Sequence, residues 1–208
     1  MQEYVGDKLN ENGAEQQKEK SELWEWIKAL LIALILVLLI RTFIFTPTIV
    51  SGPSMLPNFH DGERLIVNKF IYYIKEPSRG EVIVFHAPEE KDYIKRVIAL
   101  PGDTIRVIGD RVYVNGEVID EPYLQEVLKA AEESGRPYNH FNYKMSENGI
   151  EEVIVPENSL FVMGDNRSQS KDSRMESVGF VPMDEVVGRV DIVFWPLKNV
   201  RIVNHGKE

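Results

Sequence analysis

The chain lacks cysteine entirely, and this absence removes several kinds of chemistry at once. A protein without thiols forms no disulfides, no thiolate zinc sites and no cysteine nucleophiles. Histidine is scarce as well, because the four present are scattered and none pairs with another at metal-ligand spacing. We therefore predict that the chain holds no metal and no cofactor, and that any catalysis relies on other side chains.

Positive charge is the second shortage. Lys and Arg total 24 against 33 Asp and Glu, which gives a formal net charge of −9. Such an acidic chain repels a phosphate backbone, so we predict no binding to nucleic acid. The length of 208 residues suits one domain with a proper core plus a tail, rather than two large domains.

One long hydrophobic run is present near the N-terminus. It extends from Leu23 to Ile40, begins with two tryptophans and is uninterrupted from Ala29 onward. A membrane-spanning helix needs roughly 20 residues. The run reaches that length if Lys28 extends toward the headgroups and the tryptophans lie in the interface. We predict a transmembrane anchor over residues 23–42.

Two other interpretations of this run are weaker. A cleaved signal peptide also has a charged start and an apolar centre, but residues 41–47 are bulky and offer no Ala-x-Ala-like site. A buried soluble helix would show a polar face, which is missing. Three basic residues, Lys18, Lys20 and Lys28, lie at the N-terminal end of the run against Arg41 at the other end, and this bias predicts that the N-terminus is in the cytoplasm. Residues 1–22 are polar without apolar periodicity, and we predict a mobile cytoplasmic tail.

Residues 43–208 are predicted to form an extracytoplasmic, mainly β domain with an antiparallel sheet. Asn115-Gly116 between two β-rich runs predicts a two-residue hairpin. Residues 121–150 differ, because apolar residues at helical spacing are followed by Ser134-Gly135; we predict an insertion with a short helix and a polar loop. The runs predicted as strands, rich in β-branched or aromatic residues, are 64–67, 81–85, 93–99, 112–114, 117–119, 153–155, 159–163 and 186–194.

The segment Val50–Pro57 is the first candidate for chemistry. It holds Ser54 between two prolines and near a glycine, residues that fix an extended or turning backbone. Such a backbone presents a hydroxyl in a constant direction, as a nucleophile requires. The alternative is a proline-rich linker that leaves a membrane helix.

Lys95 is the second candidate. In a strand it shares a face with Tyr93, Val97 and Ala99, and lysine is rarely buried among such side chains without a purpose. Full burial lowers a lysine pKa by up to about 3–5 units, so the neutral amine becomes able to take the proton of a serine hydroxyl. The alternative is that Lys95 extends to solvent at a strand end while Arg96, on the other face, also meets solvent.

The third candidate is the polar segment Met163–Arg174, which directly follows an apolar strand. It is dense in small hydrogen-bonding side chains that fix turns. Asp172 and Arg174 have the spacing to pair, and Ser170 has a hydroxyl that can accept a hydrogen bond from a buried lysine. The alternative is an ordinary polar surface loop.

Taken in order after an N-terminal span, these three segments resemble the bacterial type I signal peptidases. The likeness is carried by Ser-Met-x-Pro at Ser54–Pro57, by Tyr93–Asp103 almost without a gap, and by Gly164–Arg174. Arg79–Phe85 is similar to the family's intervening strand. The resemblance extends from about Trp24 to Phe194.

This resemblance implies a role for each matching residue. Ser54 is expected to be the nucleophile and Lys95 the general base, a Ser/Lys dyad in place of a Ser-His-Asp triad. Ser170 matches the serine that orients the lysine, and Asp172 and Arg174 match an ion pair that holds the last segment in place. The remaining support residues shape its turn: Gly164, Asp165 and Asn166. The residues expected to line pockets for small substrate side chains are Val50, Met55, Tyr93 and Ile94.

One position departs from part of the family. Some members carry a serine two positions before the nucleophile, where its hydroxyl stabilises the oxyanion, and here that position is Gly52. Backbone N–H groups, including that of Ser54, are then expected to do this work. Ser51 substitutes only if the backbone bends suitably.

The expected function is therefore cleavage of signal peptides. We predict a membrane-bound serine endopeptidase that cuts exported preproteins after a small residue, on the outer side of the cytoplasmic membrane. Two alternatives remain: a Ser/Lys peptidase that cleaves itself or one dedicated partner, and a non-enzymatic membrane-tethered binding domain. The presence of Ser54, Lys95, Ser170 and Asp172 together counts against the binding domain.

Overall fold

The computed structural model describes residues 3–139 and 150–206 of the chain. The chain divides into two compact units, residues 1–44 and residues 45–208. The first is helical, and the second contains every strand of the described residues.

The first unit contains one long helix, α1, which runs from Glu3 to Phe43. Its segment Leu23–Phe43 has 21 residues and a mean hydropathy of 2.4, and none of its apolar window is buried. At about 1.5 Å per residue this segment matches the hydrocarbon thickness of a bilayer, about 30 Å. The predicted apolar helix is present, with the length and composition of a membrane span.

In residues 3–22, part of the segment for which we predict a mobile cytoplasmic tail, the backbone is helical, because α1 already begins at Glu3. The segment is rich in Glu, Gln and Lys, which have high helix propensity. Once the apolar segment is helical, each further residue adds a hydrogen bond without a new nucleation cost. Low hydrophobicity prevents the segment from forming a core, but it does not prevent a helix.

The second unit is mainly antiparallel β structure, which confirms the predicted fold class. Its single α-helix in the described residues is α2, Gln125–Ser134. The strands are β1 (Phe45–Ile49), β2 (Arg64–Asn68), β3 (Val82–Ala87), β4 (Lys91–Ala99), β5 (Thr104–Ile108), β6 (Arg111–Val114), β7 (Glu117–Val118), β8 (Ile150–Ile154), β9 (Ser159–Met163), β10 (Val181–Pro182), β11 (Val186–Trp195) and β12 (Arg201–Ile202).

These strands form two sheets. The larger has the order β1-β2-β11-β3-β4-β9-β10, with β12 paired to β11, and the smaller has the order β7-β6-β5-β8. Strand β4 lies between β3 and β9, and its residues 94–99 are buried on both faces. A polar side chain on either face of β4 therefore lies in the interior, where it needs a partner.

The hairpin and the insertion helix are also as predicted. Asn115 and Gly116 join β6 to β7 with φ values of 54° and 83°, the left-handed values of a two-residue hairpin turn. Helix α2 ends at Gly135, whose φ of 64° allows its N–H to cap the last turn. Residues 140–149, the rest of the predicted polar loop, lie outside the described residues.

The C-terminal segment packs against the strands of the larger sheet. Val203 donates its N–H to Asp191 O at 2.9 Å, and Val82 donates its N–H to Nδ1 of His205 at 3.2 Å. The backbones of Gly80 and His205 lie so close together that a Cβ added at Gly80 would lie 2.0 Å from His205 O. The imidazole is thus used as a neutral acceptor in a half-buried position.

This arrangement predicts acid sensitivity. Burial, followed by the positive charge of Arg189, lowers the pKa of His205 to about 4. The unfolded chain then binds more protons than the folded chain as pH falls below about 6.5, so stability is lost as pH falls from there toward about 4. We expect the Tm to drop between pH 7 and pH 5 by about 2–4 °C more in the wild type than in His205→Asn, with allowance for partial exposure. Thermal unfolding at both pH values checks this, and equal drops would contradict it.

Candidate active site

The loop that carries Ser54 connects β1 to β2 and is fixed at both ends. Val50 N–H donates to Glu63 O at 2.8 Å, and Gly62 N–H donates to Val50 O at 3.0 Å. Gly52 has a φ of 85°, and its N–H donates to Asp61 Oδ1 at 2.7 Å. Glycine adopts this left-handed conformation without steric cost, so the turn before the serine depends on it.

Ser54 and Lys95 lie in contact, although 41 residues separate them in the sequence. Nζ of Lys95 lies 2.9 Å from Oγ of Ser54, and it donates a second hydrogen bond to Ile94 O at 2.8 Å. Lys95 is only 3% exposed, whereas Ser54 is half-buried. The distance is the one that proton transfer between a nucleophile and its base requires, about 2.6–3.2 Å.

The surroundings of Lys95 favour the neutral amine. Burial is the main cause, and it lowers the pKa of Lys95 to about 8, against the opposing charges of Asp172 and Asp165. The positive charge of Arg174 acts in the same direction as burial. Near neutral pH, about one-tenth of the amines are therefore unprotonated, many times more than for an ordinary lysine.

The polar segment after β9 forms hydrogen bonds directly with the loop that carries Ser54. Asn166 donates its backbone N–H to Ser54 O at 3.0 Å and its side-chain Nδ2 to Pro53 O at 3.1 Å. Gly164 N–H donates to Asp172 Oδ2 at 2.9 Å, which closes the segment on itself. Gly164 and Asn166 therefore do more than shape a turn.

Asp172 and Arg174 form a fully buried, two-pronged ion pair. Nε and Nη2 of Arg174 each donate to a carboxylate oxygen of Asp172 at 2.8 Å. Both side chains are 0% exposed. Burial raises the pKa of Asp172, but Arg174 and the Gly164 N–H outweigh it, so the net shift is downward. The carboxylate stays charged within the interior and anchors the segment.

The expected hydrogen bond between Lys95 and Ser170 is not formed. Nζ of Lys95 donates to Ser54 and Ile94, and Oγ of Ser170 is buried with no partner of normal geometry among the described residues. The hydroxyl packs against Gly164, where an added Cβ would lie 2.2 Å from it. It also lies near enough to Asp172 to help lower the pKa of that carboxyl. Ser170 thus lies against Gly164 without a hydrogen bond to the Lys95 amine.

Arg96 and Asp165 form a second buried ion pair, which the sequence interpretation missed. Arg96, which the alternative interpretation of Lys95 placed in solvent, is 1% exposed, and its Nε and Nη2 donate to Asp165 at 2.9 and 2.7 Å. The available signal was that apolar or aromatic residues occupy both faces of the strand, Tyr93-Ile94 before the two basic residues and Val97–Ala99 after them, a pattern that is typical of strands buried on both faces. Asp165 is therefore an interior anchor as well as a turn residue.

A cleft of about 310 Å³ opens beside Ser54 and Lys95. All four residues predicted to contact substrate line it: Val50, Met55, Tyr93 and Ile94. One end is polar, because Lys171 forms an ion pair with Glu89, which also accepts a hydrogen bond from the Tyr93 hydroxyl at 2.9 Å. The cleft thus combines an apolar wall with a charged rim.

Comparison with known proteins identifies the family. The family described as signal peptidase, peptidase S26, matches residues 23–195. Signal peptidase I of Bacillus licheniformis is 43% identical over 184 residues, which cover 88% of this chain and 94% of that protein. Signal peptidase I S of Bacillus subtilis strain 168 is 41% identical over 191 residues, which cover 92% and 99% respectively. A solved signal peptidase I from Enterococcus faecalis V583 is 33% identical with a TM-score of 0.44, and the match covers 56% of this chain and 97% of that one.

The chain therefore belongs to the signal peptidase family, peptidase S26. Within it, the chain is an enzyme of the signal peptidase I type, a serine peptidase that acts on preproteins bearing signal peptides.

The close packing at Gly164 gives a test of how the site is held. A Cβ at this position would lie 2.2 Å from Ser170 Oγ and 2.5 Å from Ser54 O. We expect Gly164→Ala to lower the free energy of unfolding by about 1–3 kcal/mol through overpacking, and to lower kcat because the Ser54 carbonyl must move. Urea unfolding and cleavage kinetics measure the two effects.

Gly116→Ala is the matched control. Gly116, in the hairpin turn between β6 and β7, has a φ of 83°, but an added Cβ there meets nothing within 4 Å. This variant should show only backbone strain, about 1 kcal/mol, with unchanged kcat. A Gly164→Ala enzyme with the kcat of the control would contradict the expectation.

Proposed function

We propose that this enzyme cleaves signal peptides with a Ser54/Lys95 dyad. The observation that carries the proposal is the 2.9 Å distance between Lys95 Nζ and Ser54 Oγ. It is supported by the burial of the lysine, which keeps part of the amine neutral. Asp172 and Arg174, together with Asn166, hold the segment that supports Ser54.

The reaction proceeds through an acyl-enzyme. Ser54 Oγ attacks the carbonyl carbon of the scissile peptide while the neutral Lys95 amine takes its proton. The resulting ammonium gives this proton to the leaving amine as the C–N bond breaks. A water molecule then attacks the ester while Lys95 accepts a proton from the water, and the ammonium gives this proton to Ser54 Oγ as the ester bond breaks.

The cleft sets the position and size of the substrate. Val50, Met55 and Ile94 present apolar surface beside the dyad, and Tyr93 narrows one side. Such a cleft accepts a small apolar residue next to the scissile bond. Backbone N–H groups near Ser54 stabilise the oxyanion, because Gly52 has no side chain to contribute.

The membrane increases the encounter between enzyme and substrate. Leu23–Phe43 anchors the enzyme in the lipid bilayer, so enzyme and signal-peptide helix are confined to the same plane. Lys18, Lys20 and Lys28 at one end of the span, against Arg41 at the other, support an N-terminus in the cytoplasm and residues 45–208 outside. The net charge of −9 argues against binding of nucleic acid, because an acidic protein repels the phosphate backbone.

Removal of either dyad member tests the assignment. Ser54→Ala has no nucleophile and Lys95→Met has no base, so we expect each to lower cleavage of a signal-peptide-bearing preprotein by at least about 10³-fold. Circular dichroism should show that both variants remain folded, since Ser54 is half-buried and Met fills the volume of the lysine stem. Substantial cleavage by either folded variant would refute the dyad.

The pKa of Lys95 predicts the pH profile. Because the neutral amine is the base, kcat/KM should rise about tenfold per pH unit below about 8 and level off above it. His205→Asn is the control, since the pKa of His205 lies near 4, and its profile above pH 6 should be unchanged. A flat profile from pH 6 to 9 would show that a different group is the base.

A further inference from the structure

The predicted insertion contributes its own buried ion pair to the site. Glu121, at the start of the insertion, pairs with Arg167 of the polar segment after β9, and their side chains are 4% and 2% exposed. Nη1 of Arg167 donates to Glu121 Oε2 at 3.0 Å, and Nη2 donates to Oε1. The Tyr123 hydroxyl adds a third hydrogen bond to this carboxylate. The carboxylate is thus held with its full set of donors in the interior.

The part of the insertion that follows helix α2 contacts the same segment. The Tyr138 hydroxyl donates to Asp165 O at 2.8 Å, and Arg174 Nη1 donates to Asn139 Oδ1 at 2.8 Å. Asp110, on the β5–β6 turn, fixes these two residues by accepting the N–H groups of Tyr138 and Asn139 at 2.9 and 2.6 Å. The insertion therefore contacts the polar segment at three residues: Arg167, the carbonyl of Asp165, and Arg174.

A short path leads from these contacts to the nucleophile. Arg167 directly follows Asn166, whose N–H donates to Ser54 O at 3.0 Å. Nε of Arg167 also donates to Gly164 O, and Gly164 lies against Ser54 O. A shift of Arg167 or of the Asp165 carbonyl is therefore transmitted to the backbone of Ser54.

We infer that Glu121 and Tyr138 are positioning residues for Ser54, acting through Arg167 and Asn166. They do not touch substrate; they fix the carbonyl of the nucleophile so that Oγ meets both Lys95 and the scissile carbonyl. The inference rests on the proposed Ser54/Lys95 function, in which the insertion then helps to position the nucleophile.

Two variants test the inference without touching the dyad. Tyr138→Phe removes one hydroxyl and leaves no buried charge, and Glu121→Gln keeps the shape of the side chain but removes its charge. Misplacement of a reacting group by about 1 Å costs up to about a hundredfold in rate. We expect kcat to fall about ten- to a hundredfold in both, with KM changed less than twofold, because the substrate cleft is separate from these contacts.

Matched controls lie in the same unit. Glu133→Gln removes an exposed ion pair with Lys129 on α2, and Tyr113→Phe removes a hydroxyl from a tyrosine of β6. Both should keep the wild-type kcat and KM. Glu121→Asp preserves the charge and should regain most of the activity lost in Glu121→Gln.

The kcat of each variant must be expressed per folded molecule. The folded fraction is measured by thermal unfolding under the assay conditions. If Glu121→Gln does not fold, Tyr138→Phe carries the test. A wild-type kcat per folded molecule in Tyr138→Phe, and in Glu121→Gln where it folds, overturns the inference, as does a loss confined to KM. In these variants, the pH dependence of kcat/KM below about pH 8 should be the same as in the wild type, because the contacts of Glu121 and Tyr138 position Ser54 and not Lys95.

Failure of the inference is distinguishable from failure of the proposed function. If Ser54→Ala is inactive while Glu121→Gln and Tyr138→Phe are fully active, only the positioning role is refuted. If Ser54→Ala still cleaves preproteins, the dyad itself is refuted, whatever the other variants do.

Discussion

The burial of one lysine amine is the constraint on which the site depends. Water stabilises an ammonium strongly, so its removal from water favours the neutral form and supplies a base near neutral pH. A buried amine is useful only if it is also held against a hydroxyl. Strand β4, packed on both faces, buries Lys95 and leaves its amine in contact with Ser54. The same interior placement explains why the neighbouring Arg96 also needs a buried partner.

Three buried ion pairs organise the segment after β9. Arg96–Asp165, Arg174–Asp172 and Arg167–Glu121 have side chains that are 4% exposed or less. Such pairs add little net stability compared with apolar packing, but the loss of one partner is costly, because the other charge is left unpaired. They therefore suit a loop that must have one conformation rather than many. The partners come from β4, from the segment itself and from the insertion, so several parts of the domain meet behind one short loop.

Much of this could be predicted from the sequence, and the rest could not for physical reasons. The β fold, the hairpin at Asn115-Gly116 and the insertion helix follow from local pattern. The contact of Ser54 with Lys95 was accessible only through the family motifs, since no local rule links residues 41 positions apart. Arg96 was misjudged because strand alternation does not say that both faces are covered. The burial of Glu121 could not be predicted, since an acidic residue before a helix is usually solvated; only the ion pair with Arg167 in the folded domain accounts for it.

Gly52 illustrates how backbone conformation and chemistry compete at one position. An added Cβ there would meet nothing within 4 Å, so space alone does not exclude a side chain. The φ of 85° does disfavour one, and the Gly52 N–H is already engaged by Asp61. A serine at this position would gain a donor for the oxyanion but would strain the turn that directs Ser54, at a cost of order 1 kcal/mol or more. Because Gly52 relieves this strain, the proposed mechanism assigns stabilisation of the oxyanion to groups fixed by the backbone, and in that mechanism the hydrogen bond from Asn166 to the Ser54 carbonyl is the contact that orients them.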